Sequence, residues 1–135
     1  MINLINLKEK PTPDYDLYIG RENKWYQLKG SKWHNPIYLE KESDREIVIF
    51  KYFKYIIKQK DLLSQLEELD NKILACWCTD SEKPDKMCHG LVLIILRELQ
   101  KKAELSDFIE KYNDIPENDK FKYILGIIKN ENIKP

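Results

Sequence analysis

A short apolar run, Ile73-Leu74-Ala75-Cys76-Trp77-Cys78, is followed ten residues later by Cys88-His89-Gly90 and a second apolar run from Leu91 to Leu96. The first has the length and bounded character of a buried strand, and the second continues into a helical pattern. A strand, a loop and a helix in that order form the unit from which α/β sheets are wound. Ligands of such sheets sit outside the carboxyl ends of the strands. All three cysteines and one of the two histidines fall within this junction. The chemically softest side chains therefore lie where an α/β domain would place a site.

The rest of the chain fits that unit. Ile2 to Leu7 reads as a short edge strand, closed off by Pro11 and Pro13. Asp14-Tyr15-Asp16-Leu17-Tyr18-Ile19 alternates well enough for a second strand, stopped at Gly20. From Gly20 to Glu42 no periodicity persists, but the stretch holds Trp25 and Trp33, which favours an ordered, functional loop. Ser43-Asp44-Arg45-Glu46 has the form of a capping box and starts a helix through Ile47, Val48, Phe50, Phe53, Ile56 and Ile57. Lys51, Lys54 and Lys58 recur at helical spacing as its wet face. Leu62, Leu63, Leu66 and Leu69 form a second amphipathic series. After the Leu91–Leu99 helix, Ser106 and Pro116 mark the starts of two closing helices. The expected fold is α/β: a two- or three-layer domain with a short, mostly parallel sheet flanked by helices. A right-handed crossover would set the strands near 14–19 and 73–78 side by side and parallel. Their carboxyl ends, at Gly20-Arg21 and at Cys78, would then share one crevice. Residues 1–135 are read as a single domain, with its core motifs in 14–100 and closing helices over 104–131.

Composition bounds the function. Lys plus Arg and Asp plus Glu are both 23, so no global field draws in duplex nucleic acid or an anionic membrane. Fifteen aromatics argue against disorder. No apolar run reaches the length of a membrane span, and Met1 opens onto Ile2-Asn3-Leu4 rather than a leader peptide. An odd cysteine count without a leader reads as a reducing, cytoplasmic compartment.

The motifs then carry the chemistry. With Cys88 at the first turn of its helix, unpaired N–H groups and the positive dipole end would lower its thiol pKa or hold an anion. Gly90 would let a ligand approach the backbone, and His89 would act as acid or base near neutral pH. The plainer reading makes Cys88 a small buried hydrophobe and His89 a capping residue. Zinc competes: Cys76 and Cys78 point to one face of a strand, and Cys88 and His89 would complete the tetrahedron. Neighbours on a helix diverge by about 100°, so both reach one ion only where the chain is irregular. Arg21 is one of three arginines among twenty lysines and sits beside a glycine just past a strand end. There its guanidinium would clamp a phosphate or carboxylate, or else pair with a neighbour such as Glu22. Arg45 stands in the first turn of its helix, a place that favours a cation only if it faces an acid or an anion. Within Trp33-His34-Asn35-Pro36, the Asn35 amide would read a ligand edge or order the loop.

Taken together, Tyr18-Ile19-Gly20-Arg21, Trp33-His34-Asn35-Pro36, Arg45-Glu46, Leu74-Ala75-Cys76-Trp77-Cys78 and Cys88-His89-Gly90 resemble a family of small domains of unknown function, number 4326. That family occurs in phages, large DNA viruses and bacteria. The resemblance covers about residues 17–96. The chain departs from the family pattern at His34, where glycine is usual, and at Ile37, where phenylalanine is usual. Its Cys78–Cys88 segment is also long for the family. The resemblance concentrates the site on these blocks and implies no particular reaction.

The resulting expectation is a cytoplasmic α/β protein that binds a phosphorylated or nucleotide-like small molecule, with processing of that molecule as a further option. The pocket would comprise Gly20, Arg21, Trp33, Asn35, Arg45, Cys78 and Gly90, with Trp33 or Trp77 stacking on a base and Cys88 and His89 as the reactive pair. The alternative is a zinc-stabilised interaction module on Cys76, Cys78, Cys88 and His89.

Overall fold

The computed structural model describes residues 2–8, 11, 14–38, 41–77 and 88–132. Three strands form one parallel sheet: β1 (Asn3–Asn6), β2 (Leu17–Tyr18) and β3 (Ile73–Cys76), in the order β1-β3-β2. Leu74, Ala75 and Cys76 of the central strand are fully buried. This is what their uninterrupted apolar run requires of a strand flanked on both sides. Asn3 to Asn6 lie opposite Ile73 to Cys76, and Leu17 and Tyr18 opposite Leu74 and Ala75.

β2 is shorter than its alternating sequence suggests. The Asp16 carboxylate accepts the Ile73 N–H at 2.8 Å, a donor the ladder would otherwise use, while backbone pairing continues through Asp16 N to Ile73 O and Ile19 N to Ala75 O. A side chain thus ends the strand at its amino side. β3 likewise stops at Cys76, with Trp77 in a bend.

The helices are α1 (Arg45–Ile56), α2 (Lys60–Leu63), α3 (His89–Lys101), α4 (Leu105–Asp114) and α5 (Glu117–Asn132). The capping box at Ser43–Glu46 does not form. Glu42–Asp44 wind into a 3-10 turn, and Asp44, the residue before α1, makes no side-chain cap hydrogen bond. Glu46 instead pairs with Lys129 of α5 at 3.2 Å. The leucine series after α2 is a 3-10 turn, Leu66–Leu69, which buries Leu66 and Leu69. α4 begins at Leu105, one residue before Ser106.

Ile49, Tyr52, Phe53 and Ile56 of α1 and Leu91, Val92, Leu93 and Leu96 of α3 share one core with Ile19, Leu74 and Cys76 of the sheet region. Each Leu, Ile, Val or Phe among them contributes roughly 1.5–3 kcal/mol on burial. α5 packs on both α1 and α3, with Ile124 and Ile128 buried, and α4 packs on α3. Phe53 meets the rings of Phe108 and Tyr112 edge-on, which ties α4 to α1. No helix among the described residues is long and apolar enough to cross a membrane.

Candidate functional site at the carboxyl edge of the sheet

Because β2 and β3 run parallel, the residues that follow each of them emerge at the same edge. There they border a crevice of about 310 Å³, within the range of small-molecule sites. Gly20, Arg21, Glu22 and Asn23 enter after β2, Cys76 and Trp77 from the end of β3, His89 from the start of α3, and Arg45, Val48 and Ile49 from α1. Asn35 and Ile37 of the long loop complete the lining. The convergence expected from the crossover is therefore present, and it brings together side chains up to 71 residues apart in the chain.

One wall is aromatic. The Tyr18 hydroxyl donates to the Arg21 carbonyl at 2.6 Å and accepts from Trp77 Nε1 at 3.1 Å. Tyr26 then leans on Trp77 with ring centroids 5.0 Å apart. Gly20 is needed for this arrangement, because a Cβ there would lie 2.6 and 2.8 Å from Cζ and Cε1 of the Tyr18 ring. Sequence reasoning passed over Tyr18, Tyr26 and Tyr38. Tyr18 heads the Tyr-Ile-Gly-Arg block and Trp77 separates two cysteines, so position within the motifs was the available signal.

The opposite side is polar. Arg21 donates from Nη2 to the Ile37 carbonyl at 2.8 Å, and its guanidinium stacks over the Tyr38 ring at 3.9 Å. It forms no ion pair with Glu22. Asn35 accepts the Ile37 N–H through Oδ1 at 2.9 Å, so it orders the loop while also lining the crevice. Asn23 likewise caps Tyr26 N at 3.2 Å and forms a backbone bridge with Leu28. Two stretches of the long loop are thus braced by asparagine side chains and held against the sheet edge.

Trp33 is placed elsewhere. It is fully buried, its Nε1 donates to Glu68 at 2.9 Å, and its carbonyl accepts from the buried Tyr52 hydroxyl at 2.8 Å. It anchors the loop to α1 and to the Leu66–Leu69 turn, and of these two tryptophans Trp77 alone borders the crevice. Burial raises the Tyr52 phenol well above its ordinary pKa, aided by the neighbouring Tyr55 and Cys88, so it remains a donor.

The Cys88-His89-Gly90 block lies under the crevice. Cys88 has an extended backbone (φ −122°, ψ 150°) and caps α3, its sulfur accepting the Gly90 N–H at 3.3 Å. It is fully buried, as is Cys76, and the two sulfurs are 3.0 Å apart. The extended cap supplies the irregularity that adjacent ligand-like residues need: His89 Nδ1 comes within 3.8 Å of Cys88 Sγ. His89 Nε2 donates to the Ile19 carbonyl at 2.9 Å, because a carbonyl can only accept; Nδ1 then carries the lone pair. The ring meets Tyr52 edge-on at 4.9 Å. Burial, the largest influence, holds the His89 pKa below its ordinary value despite the favourable Ile19 contact and Cys76. The imidazole is neutral at physiological pH.

Gly90 has a packing role. A Cβ there would meet Leu4 Cδ2 at 2.5 Å and Ile19 Cδ1 at 3.1 Å, so the glycine lets α3 start close against the sheet. Of the expected site residues, Gly20, Arg21, Asn35, Arg45 and His89 line the crevice, whereas Cys88, Gly90 and Trp33 do not. Cys78 falls outside the described residues. Of the four expected zinc ligands, Cys76, Cys88 and His89 are neighbours. Among the described residues, no group of three or more His, Cys, Asp or Glu side chains is disposed to hold a metal ion.

A short parallel sheet flanked by helices, with a crevice at its carboxyl edge, defines a small α/β domain. Its sequence places it more closely: residues 2–101 match the profile of the family described as Domain of unknown function (DUF4326), and the chain belongs to that family. It is also similar to an uncharacterised protein of Acanthamoeba polyphaga mimivirus, 40% identical over 94 residues that span 66% of this chain and 72% of the relative. No solved structure matches it.

Proposed function

We propose that the chain binds a small phosphorylated or nucleotide-like molecule in the carboxyl-edge crevice. The observation that carries this reading is the convergence of Arg21, Arg45 and Asn35 with an aromatic wall in one cavity of about 310 Å³. Arg21 is braced by the Ile37 carbonyl and the Tyr38 ring, which fixes its fork for an anion. Trp77, backed by Tyr26, offers a face for a base, and the amides of Asn23 and Asn35 are the groups suited to reading its edge. Cys88 and His89 support the crevice floor in this reading, since the sulfur caps α3 and His89 Nε2 is committed to Ile19.

The test is calorimetry and thermal shift with adenosine and guanosine mono-, di- and triphosphates, and with inorganic phosphate alone. A binding nucleotide should lose roughly tenfold or more in affinity with Arg21→Ala, the scale of one charged hydrogen bond. Absence of binding at millimolar concentrations, or equal affinity in the variant, would overturn the reading.

The zinc alternative would need Cys76, Cys88 and His89 Nδ1 to rearrange, since they are neighbours but not disposed around one ion. Two thiolates on one tetrahedral zinc stand about 3.8 Å apart, so the metal would have to spread sulfurs now at 3.0 Å. Elemental analysis of protein purified without chelator separates the two.

A further inference from the structure

We propose that Cys76 and Cys88 are a two-electron redox pair that closes to a disulfide on exposure to a small hydroperoxide, stapling the end of β3 to the start of α3. The sulfurs are already 3.0 Å apart, and a disulfide needs about 2.05 Å, so closure asks for roughly 1 Å of movement. Two features favour thiolate formation here. Cys88 sits at the amino end of the thirteen-residue α3, with the Gly90 N–H aimed at its sulfur. His89 Nδ1, carrying its lone pair because Nε2–H is held by Ile19, lies 3.8 Å from the same sulfur and is the nearby base. Cys76 borders the crevice, which is the route to an otherwise buried pair and admits small oxidants in preference to bulky disulfides.

The chemistry balances with hydrogen peroxide as oxidant. The Cys88 thiolate attacks one peroxide oxygen, the O–O bond breaks, and the departing hydroxide takes a proton to leave as water. Cys76, giving up its proton as its sulfur attacks the Cys88 sulfenic sulfur, expels a second hydroxide, which is also protonated to water. Two thiols lose two electrons and two protons, and the peroxide is reduced to two waters. The bond forms irrespective of what the crevice binds, and it closes a loop across the eleven residues 77–87.

The experiment treats the full chain with stoichiometric hydrogen peroxide under native conditions, then alkylates in denaturant and maps peptides by mass spectrometry. Expected are a mass 2 Da lower, two fewer alkylated thiols, and a Cys76–Cys88 cross-link that persists in Cys78→Ser. The oxidised protein should melt higher by roughly 5 °C or more, reversibly with reductant. Full alkylation of all three cysteines after excess peroxide, a cross-link that uses Cys78 instead, or a bound metal that protects both thiols would each overturn the pair. Fragmentation of the wild-type peptides distinguishes Cys76 from Cys78 without any variant, so the result does not depend on a substitution folding.

Discussion

His89 is buried, edge-on to Tyr52 and bonded through Nε2 to Ile19. Its pKa is depressed in the folded state, so the unfolded chain binds the extra proton first as the pH falls. Its contribution is fully present above the unfolded value of about 6.5 and is lost as pH drops toward the folded value. Urea unfolding should therefore show stability declining from pH 7 to pH 5, and His89→Gln should be less stable at pH 7 yet lack that slope. An unchanged slope in the variant would remove His89 as the cause. Tyr18 bears a comparable burden through one oxygen, which accepts from Trp77 and donates to the Arg21 carbonyl. Tyr18→Phe should cost about 1–3 kcal/mol, because it strands a partly buried indole N–H. A change in tryptophan emission should accompany the lower urea midpoint, and a fluorescence spectrum identical to wild type would mean that Trp77 is held by other contacts.

At the scale of elements, the start of α3 is the joint on which the site depends. Its cap is a cysteine rather than a serine or aspartate, and its second residue is a glycine pressed against Leu4 of β1 and Ile19. Gly90→Ala gains helix propensity of about 1 kcal/mol but overpacks by roughly 1–3 kcal/mol. A net loss of about 1 kcal/mol is expected by chemical denaturation. Adding Leu4→Val, which shortens the obstructing side chain, should recover part of it, since residues in contact do not behave additively. Additive losses would show that the joint does not work through Leu4. The long loop behaves as an element too: Trp33 is its anchor in the core, and asparagines brace its turns at either side of the crevice.

For the whole molecule, the question is what the closing helices are for. The family match ends at residue 101, just where α3 ends. α4 and α5 lie beyond it, and neither contributes a residue to the crevice lining. Ile124, Ile128 and Tyr112 are nevertheless buried in the common core, with α5 against α1 and α3. These helices complete the core rather than roof the site. A chain ending at Lys102 should expose the apolar face of α1 and α3 and unfold or aggregate, as circular dichroism and size-exclusion chromatography would report. A stable, monomeric truncation would show that the 2–101 segment buries enough by itself.

The strand–loop–helix run at 73–96 determined the α/β class. The order of elements determined that the 17–18 and 73–76 strands pair in parallel, because both follow from local periodicity and from the handedness of crossovers. The same reasoning places Gly20 and Arg21 at one edge with the end of β3, since parallel strands deliver their loops together; Asn35, Arg45 and His89, singled out by residue type and motif, line the same crevice. What it could not supply were properties of partners distant in the chain. Trp33 and Trp77 are alike as residue types, yet one is buried against Glu68 and Tyr52 and the other lines the crevice. Gly90 resembles a ligand-approach glycine until Leu4, 86 residues earlier, is seen to occupy the space in front of it. His89 Nε2 is claimed by the Ile19 carbonyl, 70 residues away. Periodicity is a local signal and is written along the chain, whereas burial and hydrogen-bond partnership are pairwise and exist only once the chain has folded.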